Sequence, residues 1–149
     1  MRFFKNVKDE HKKQVNKTEI PKRSSNKSAG YDFYNPKEII INPGETKVIW
    51  TDIKAKMEFD EVLMLYVRSS IGIKRGLVLA NGTGIIDSDY FENKDNDGNI
   101  GIALINVKDK PVILKENERF AQGIFMKYLV ADDDNCDLIR AGGIGSSGK

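Results

Sequence analysis

An all-β sandwich or barrel is the fold this sequence predicts, and two observations carry the prediction. After Gly30, short apolar runs rich in Ile, Val, Leu and Tyr recur roughly every eight to twelve residues, separated by turn chemistry. Helical signal is nearly absent: 13 glycines favour turns, and "SSIGIKRG" is the one candidate helical piece. A chain of 149 residues is expected to form one domain, 1–149, that buries about 70% of the surface its unfolded form exposes.

Residues 1–27 form a polar N-terminal segment, expected as a loop or a loosely held edge, because the first thirty residues carry seven lysines and the run "KRSSNKS". Turns are expected at "NPGE" from Asn42, "NGTG" from Asn81, "DNDG" from Asp95, "KDKP" from Lys108 and "KENE" from Lys115. The run "VLMLYV", Val62 to Val67, is apolar at every position, which predicts a strand buried on both faces; "GLVLANG" and "NIGIALINV" read alike. Pro111 follows a turn and opens another strand. In "RFAQGIFMKY" alternation places Phe120, Gln122, Ile124, Met126 and Tyr128 on one face. Gln122 is the polar exception there, and its amide must pair with backbone or line a polar site.

Composition narrows the chemistry. With 24 Lys and Arg against 22 Asp and Glu, a net charge of +2 offers little attraction for duplex nucleic acid, so any anion site is local. The single histidine, His11, lies in a polar stretch, which removes histidine bases and histidine metal clusters. One cysteine, Cys136, excludes an internal disulfide, and no N-terminal apolar run has signal-peptide or membrane length; a soluble, cytoplasmic protein is the expectation. Catalysis would therefore rest on carboxylates, arginines, hydroxyls, amides and a hard metal ion.

Three clusters offer such groups. "RSS", Arg68 to Ser70, follows the apolar strand and could hold a phosphate with a guanidinium, two hydroxyls and backbone N–H groups, or be a surface ion pair and a cap. In "NGTGIIDSDY", Asn81 to Tyr90, an apolar pair frames Asp87, as a general base or metal ligand requires; turn capping by Asp87 and Asp89 is the plainer reading. "NKDNDGNIG" mimics a calcium loop at Asn93, Asp95, Asp97 and Gly98, but its twelfth position is Leu104, so it reads as a polar hairpin tip.

In order along the chain, five pieces resemble the five motifs of the trimeric dUTPase family: "SAGYDF" from Ser28, "RSSIG" from Arg68, "NGTGIIDSDY" from Asn81, "ERFAQGIF" from Glu118 and "RAGGIGSSG" from Arg140. The resemblance implies a jelly-roll-like subunit that hydrolyses dUTP to dUMP and pyrophosphate with Mg²⁺, in a homotrimer whose three sites draw on all three chains. By the same resemblance Asp87 would deprotonate the attacking water, while Asn81 and the main chain of Gly84, Ile85, Ile86 and Gly101 would read the uracil edge. Tyr90 would pack under the deoxyribose. Arg68, Ser69, Ser70 and Gln122 would contact the phosphates, and Asp32 would support the metal through water. Residues 140–149 would be a flexible lid reaching across to a neighbour's nucleotide, with Arg140, Gly145, Ser146 and Ser147 at the γ end and Ile144 against the base.

Two departures from the pattern stand out: the loop "FENKDNDGN" exceeds the usual tight turn, and Ile144 stands where many members carry an aromatic ring. The related dCTP deaminases resemble this chain too, but their "LEL" glutamate is here Ala103 of "IAL", which removes the proton shuttle. A non-enzymatic nucleotide-sensing or protein-binding module on the same scaffold is the reading from a different class.

Overall fold

The computed structural model describes residues 1–145, so the expectations placed on Ser146 and Ser147 fall outside the described residues. Twelve strands occupy this span: β1 Phe3–Asn6, β2 Lys22–Arg23, β3 Tyr31–Tyr34, β4 Ile39–Ile41, β5 Thr46–Trp50, β6 Ile53–Lys56, β7 Glu61–Val67, β8 Leu77–Leu79, β9 Gly84–Asp87, β10 Gly101–Asn106, β11 Val112–Leu114 and β12 Arg119–Lys127. The all-β expectation holds. Helical structure among the described residues is confined to single turns at Asp9–His11, Ser70–Lys74 and Ser88–Tyr90, the second of them the expected helical piece.

All pairings are antiparallel, in a five-stranded sheet β2-β3-β12-β7-β9, a three-stranded sheet β5-β10-β8 and two ribbons, β1-β6 and β4-β11. No ladder among the described residues closes into a barrel. The core lies between the sheets, where Phe33, Leu63, Leu65, Phe120, Ile102 and Leu104 are at most 2% exposed.

Three expectations need correction. β7 is not buried on both faces: Leu63 and Leu65 point into the core while Val62, Met64 and Tyr66 are half-buried. β8 and β10 behave the same way, with Val78, Ala103 and Ile105 on the outer face. An antiparallel sheet needs only one core face, so continuous apolarity here marks an outer surface fit to be covered. Second, β12 carries a bulge between Arg119 and Ala121, and the extra residue sends Phe120 into the core. Gln122, Ile124 and Met126 keep the outer face, and Tyr128 lies beyond the strand, donating to Phe59 O at 3.0 Å. Third, the N-terminal segment is not loosely held. β1 pairs with β6, Val7 is buried, and the buried Asp52 carboxylate accepts the N–H groups of Lys13 and Gln14 at 2.8 and 2.9 Å.

The loop at 91–99 is likewise not a free hairpin tip. Its Asp97, 2% exposed, pairs with the buried Lys54 ammonium at 2.8 Å and accepts the Lys8 N–H at 2.8 Å. Burial pushes the Asp97 carboxyl up, but Lys54 and the Lys8 N–H outweigh it and hold its pKa below the ordinary value. A carboxyl with a lowered folded pKa adds stability that is fully present above its unfolded pKa and is lost as pH falls through the folded one. Asp97→Asn tolerates the positive φ of 58° and leaves Lys54 with only the half-exposed Glu92. The substitution is expected to cost about 3 kcal/mol near neutral pH. Urea unfolding should show the gap from wild type narrowing as the pH falls through the ordinary carboxylate range, where the unfolded chain takes up its proton, and on through the lowered folded pKa of Asp97.

Candidate active site

Antiparallel pairing of β9 with β7 sets Asp87 opposite Val62 and Gly84 opposite Leu65. Gly84 is required at its position, since a Cβ there would lie 2.8 Å from Leu65 Cβ. Gly101 has a similar reason: a Cβ would meet the Trp50 ring at 2.9 Å. With both side chains deleted, the main chains of β9 and β10 border a cavity of about 240 Å³. Asn81, Gly84, Ile85, Ile86 and Asp87 line one wall, and Gly101, Tyr90 and the tail residues Arg140, Ile144 and Gly145 complete it.

The turn Ser88–Tyr90 swings Tyr90 inward, where it is 5% exposed. Its hydroxyl donates to Asn99 O and accepts from Asn96 Nδ2, both at 2.8 Å. Burial pushes the phenol pKa up, opposed in part by the Asn96 bond and by Arg140. Tyr90 therefore stays neutral near pH 7 and presents a fixed ring to the cavity. The side chain of Asp87, about half exposed, stands at the mouth.

Arg140 closes that mouth. Its Nη2 donates to Asp87 Oδ2 at 2.6 Å and its Nε to Asp89 Oδ1 at 2.7 Å, while the guanidinium lies 5.8 Å from the Tyr90 ring centre. In the single chain, Arg140 to Gly145 lie against the end of β9 and the 91–99 loop. Two carboxylates attract the guanidinium, and Asp95 Oδ2 accepts the Gly143 N–H at 2.8 Å. The Arg140 side chain is accordingly only 11% exposed, and Gly142 and Gly143 are buried.

The second group of expected residues sits elsewhere. Arg68 follows β7 at the end opposite Val62, the partner of Asp87, six residues or about 20 Å away. There Arg68 Nε meets Asp32 Oδ1 at 3.1 Å and Arg119 Nη1 meets Asp32 Oδ2 at 3.2 Å. With a guanidinium on each oxygen, the buried Asp32 is an anchor for Arg68 and poorly suited to the metal role. Gln122 half-buries its amide and donates to Val67 O at 3.4 Å, so it pairs with backbone. Gly30 admits it closely, for a Cβ there would lie 2.3 Å from Gln122 Oε1. Ser69 and Ser70 expose their hydroxyls beside Arg68. An open depression of about 470 Å³ joins Arg68 and Ser70 to Lys74, Arg75 and Arg119, which makes it cationic.

Asp89, Asp95, Asn96 and Arg119 are contributors that residue spacing did not assign to the site. Asp89 lay within the second cluster, and Asp95 within the apparent calcium loop; Arg119 carried no signal, because its partner Asp32 is 87 residues away.

Asp87 at the mouth of a small cavity walled by main chain and one tyrosine, on an all-β frame with a cationic depression, is an arrangement suited to a nucleotide-handling hydrolase. The dUTPase family model matches residues 16–148, and the chain belongs to that family. It is 47% identical over 131 residues to the deoxyuridine 5'-triphosphate nucleotidohydrolase of Lactococcus lactis, covering 87% of each chain. The enzyme of the same name from Nautilia profundicola is 34% identical over 135 residues, covering 87% of this chain and 91% of that one. Among solved structures, the dUTPase of Streptococcus mutans superposes with a TM-score of 0.78 at 38% identity, covering 87% of this chain and 98% of that chain.

Proposed function

We propose that this chain hydrolyses dUTP to dUMP and pyrophosphate, which keeps uracil out of DNA and supplies dUMP. The observation that carries the reading is Asp87, set at the mouth of a cavity whose walls are the β9 and β10 main chains and the Tyr90 ring. Uracil presents two carbonyls and an N–H, and Asn81 with the β9 backbone supplies complementary edges. Tyr90 lies beneath the sugar. Its hydroxyl is already bonded to Asn96 and Asn99, so a ribose 2′-hydroxyl would meet an apolar ring with no partner.

Asp87 takes a proton from water, whose oxygen bonds to the α-phosphorus as the bond to the β-phosphate oxygen breaks and pyrophosphate leaves. Arg140 must release Asp87 for this, and the γ end of a triphosphate is the stronger attractor. Magnesium fits as part of the substrate. No group of three or more His, Cys, Asp or Glu among the described residues could hold a metal; the phosphate oxygens of the substrate would hold the ion. When bound, the ion draws off charge that gathers on those oxygens.

A homotrimer completes the site in this reading. Arg68 and Asp87 of one chain cannot serve the same α-phosphate at about 20 Å, whereas a neighbour's Arg68 can. Support comes from surfaces that one chain leaves open. Ile85 and Met126 are 53% and 45% exposed on the outer face of the five-stranded sheet. Leu129, Val130, Leu138 and Ile139 are exposed along the strap after β12. Among the described residues no helix is long and apolar enough to cross a membrane.

Incubation with dUTP, dCTP, dTTP and UTP, reading pyrophosphate and ammonia, tests the activity. Pyrophosphate from dUTP, with little from UTP, is the expected result. Ammonia from dCTP would point to deamination, against which Ala103 puts only a methyl group on the cavity wall; no product from any nucleotide would favour a binding module.

A further inference from the structure

The turn between β10 and β11 holds its lysines on a frame. Asn106, fully buried, accepts the Lys108 N–H on Oδ1 at 2.9 Å and donates from Nδ2 to Lys110 O at 2.7 Å and Ile41 O at 2.9 Å. The turn then packs on the segment that follows Arg68. The Val107 N–H donates to Gly76 O at 3.0 Å, and a Cβ on Gly76 would lie 2.3 Å from Lys108 Cγ. Gly76 also takes a φ of +66°, so both close approach and backbone geometry require glycine there.

This packing forms a depression of about 510 Å³ in which Lys74, Arg75, Lys108 and Lys110 face a single carboxylate, Asp109. Lys74 and Arg75 also line the depression that holds Arg68, so the two adjoin. Arg75 is taken up by Glu118 and by Ile113 O. Lys74, Lys108 and Lys110 are exposed and pair with no carboxylate among the described residues. Three ammonium groups gathered without counter-charges give a local positive potential on a chain whose net charge is only +2.

We propose that Lys74, Lys108 and Lys110 form a guiding strip that draws an oligophosphate toward Arg68 before it docks, an inference that rests on the dUTP-hydrolase reading. Their ammonium groups ride on exposed, flexible stems, so they act through charge at a distance and set how fast the triphosphate arrives. Salt must therefore weaken them, since the screening length shrinks from about 30 Å at 0.01 M to about 8 Å at 0.15 M.

The test combines Lys74→Gln, Lys108→Gln and Lys110→Gln in the full chain and uses α,β-imido-dUTP, whose bridging nitrogen resists hydrolysis. Stopped-flow fluorescence of Trp50, the one tryptophan, whose ring packs on Gly101 of the cavity wall, reads association. In about 20 mM salt the association rate should fall about tenfold, and in about 300 mM salt the gap should close to less than about twofold. Dissociation, kcat and Tm should match wild type. Arginine at the same three positions should keep the wild-type rate, because charge without fixed geometry suffices. Equal association at low salt, a gap that salt leaves intact, faster dissociation, or a slow arginine variant would each overturn the proposal. If wild type releases pyrophosphate from dUTP, those results remove the guiding strip alone; a wild type that neither hydrolyses dUTP nor binds the analogue removes the dUTP reading with it.

Discussion

Asp87→Asn loses about 10² to 10⁴ in turnover of dUTP while still binding it, the expected result for removing a positioned general base. The substitution is nearly isosteric, and the backbone that presents residue 87 is held by pairing with Val62, which no side chain at 87 influences. The cavity walls at Asn81, Tyr90 and Gly101 stay in place, so uracil and sugar contacts persist. What disappears is the ability to accept a proton, together with the charge that holds Arg140 at 2.6 Å. The variant therefore separates chemistry from recognition. Pyrophosphate release would be measured beside calorimetric binding of dUTP, and near-normal release would remove Asp87 from the base role.

That aspartate was legible because "GIIDSDY" carries a local pattern: an apolar pair that must be framed, then a carboxylate, then an aromatic. Turns were legible for the same reason. At Asn42 the Glu45 N–H returns to Asn42 O at 2.9 Å, with Gly44 at φ +73°, and at Gly82 the chain again adopts a positive φ. What each turn joins was not legible. β4 pairs with β11 and β5 with β10, so the Asn42 turn hands the chain from one ladder to another instead of closing a hairpin. Strand partners depend on packing between residues far apart in sequence, and period-2 alternation carries no trace of them.

The same limit hid the bulge at Phe120, which exists only relative to β3. It also hid the nature of the 91–99 loop. A solvated tip and a hydrogen-bonded frame share one composition of Asn, Asp and Gly; Lys54, 43 residues from Asp97, decides between them. The outer faces misled in an instructive direction. Val62 and Met64 are apolar yet only half-buried in the single chain, so continuous apolarity could not tell a strand buried on both faces from one with an apolar outer face.

Mixing two inactive variants, Asp87→Asn and Arg68→Ala, is expected to restore activity. Arg68→Ala alone should lose about 10² to 10³ in rate, as removal of a preorganised charge donor does. Its fold should survive, because Arg119 still pairs with the buried Asp32. If each site combines Asp87 of one chain with Arg68 of a neighbour around a ring, random co-assembly after joint unfolding and refolding leaves roughly one quarter of sites with both residues intact. Neither parent assembly has any. The physical ground is the register of a single strand: β7 runs from the partner of Asp87 to the residue before Arg68, and a strand cannot fold to bring its own ends together. A mixture as inactive as its components would mean that one chain supplies both groups, and the apolar outer faces would then need another explanation.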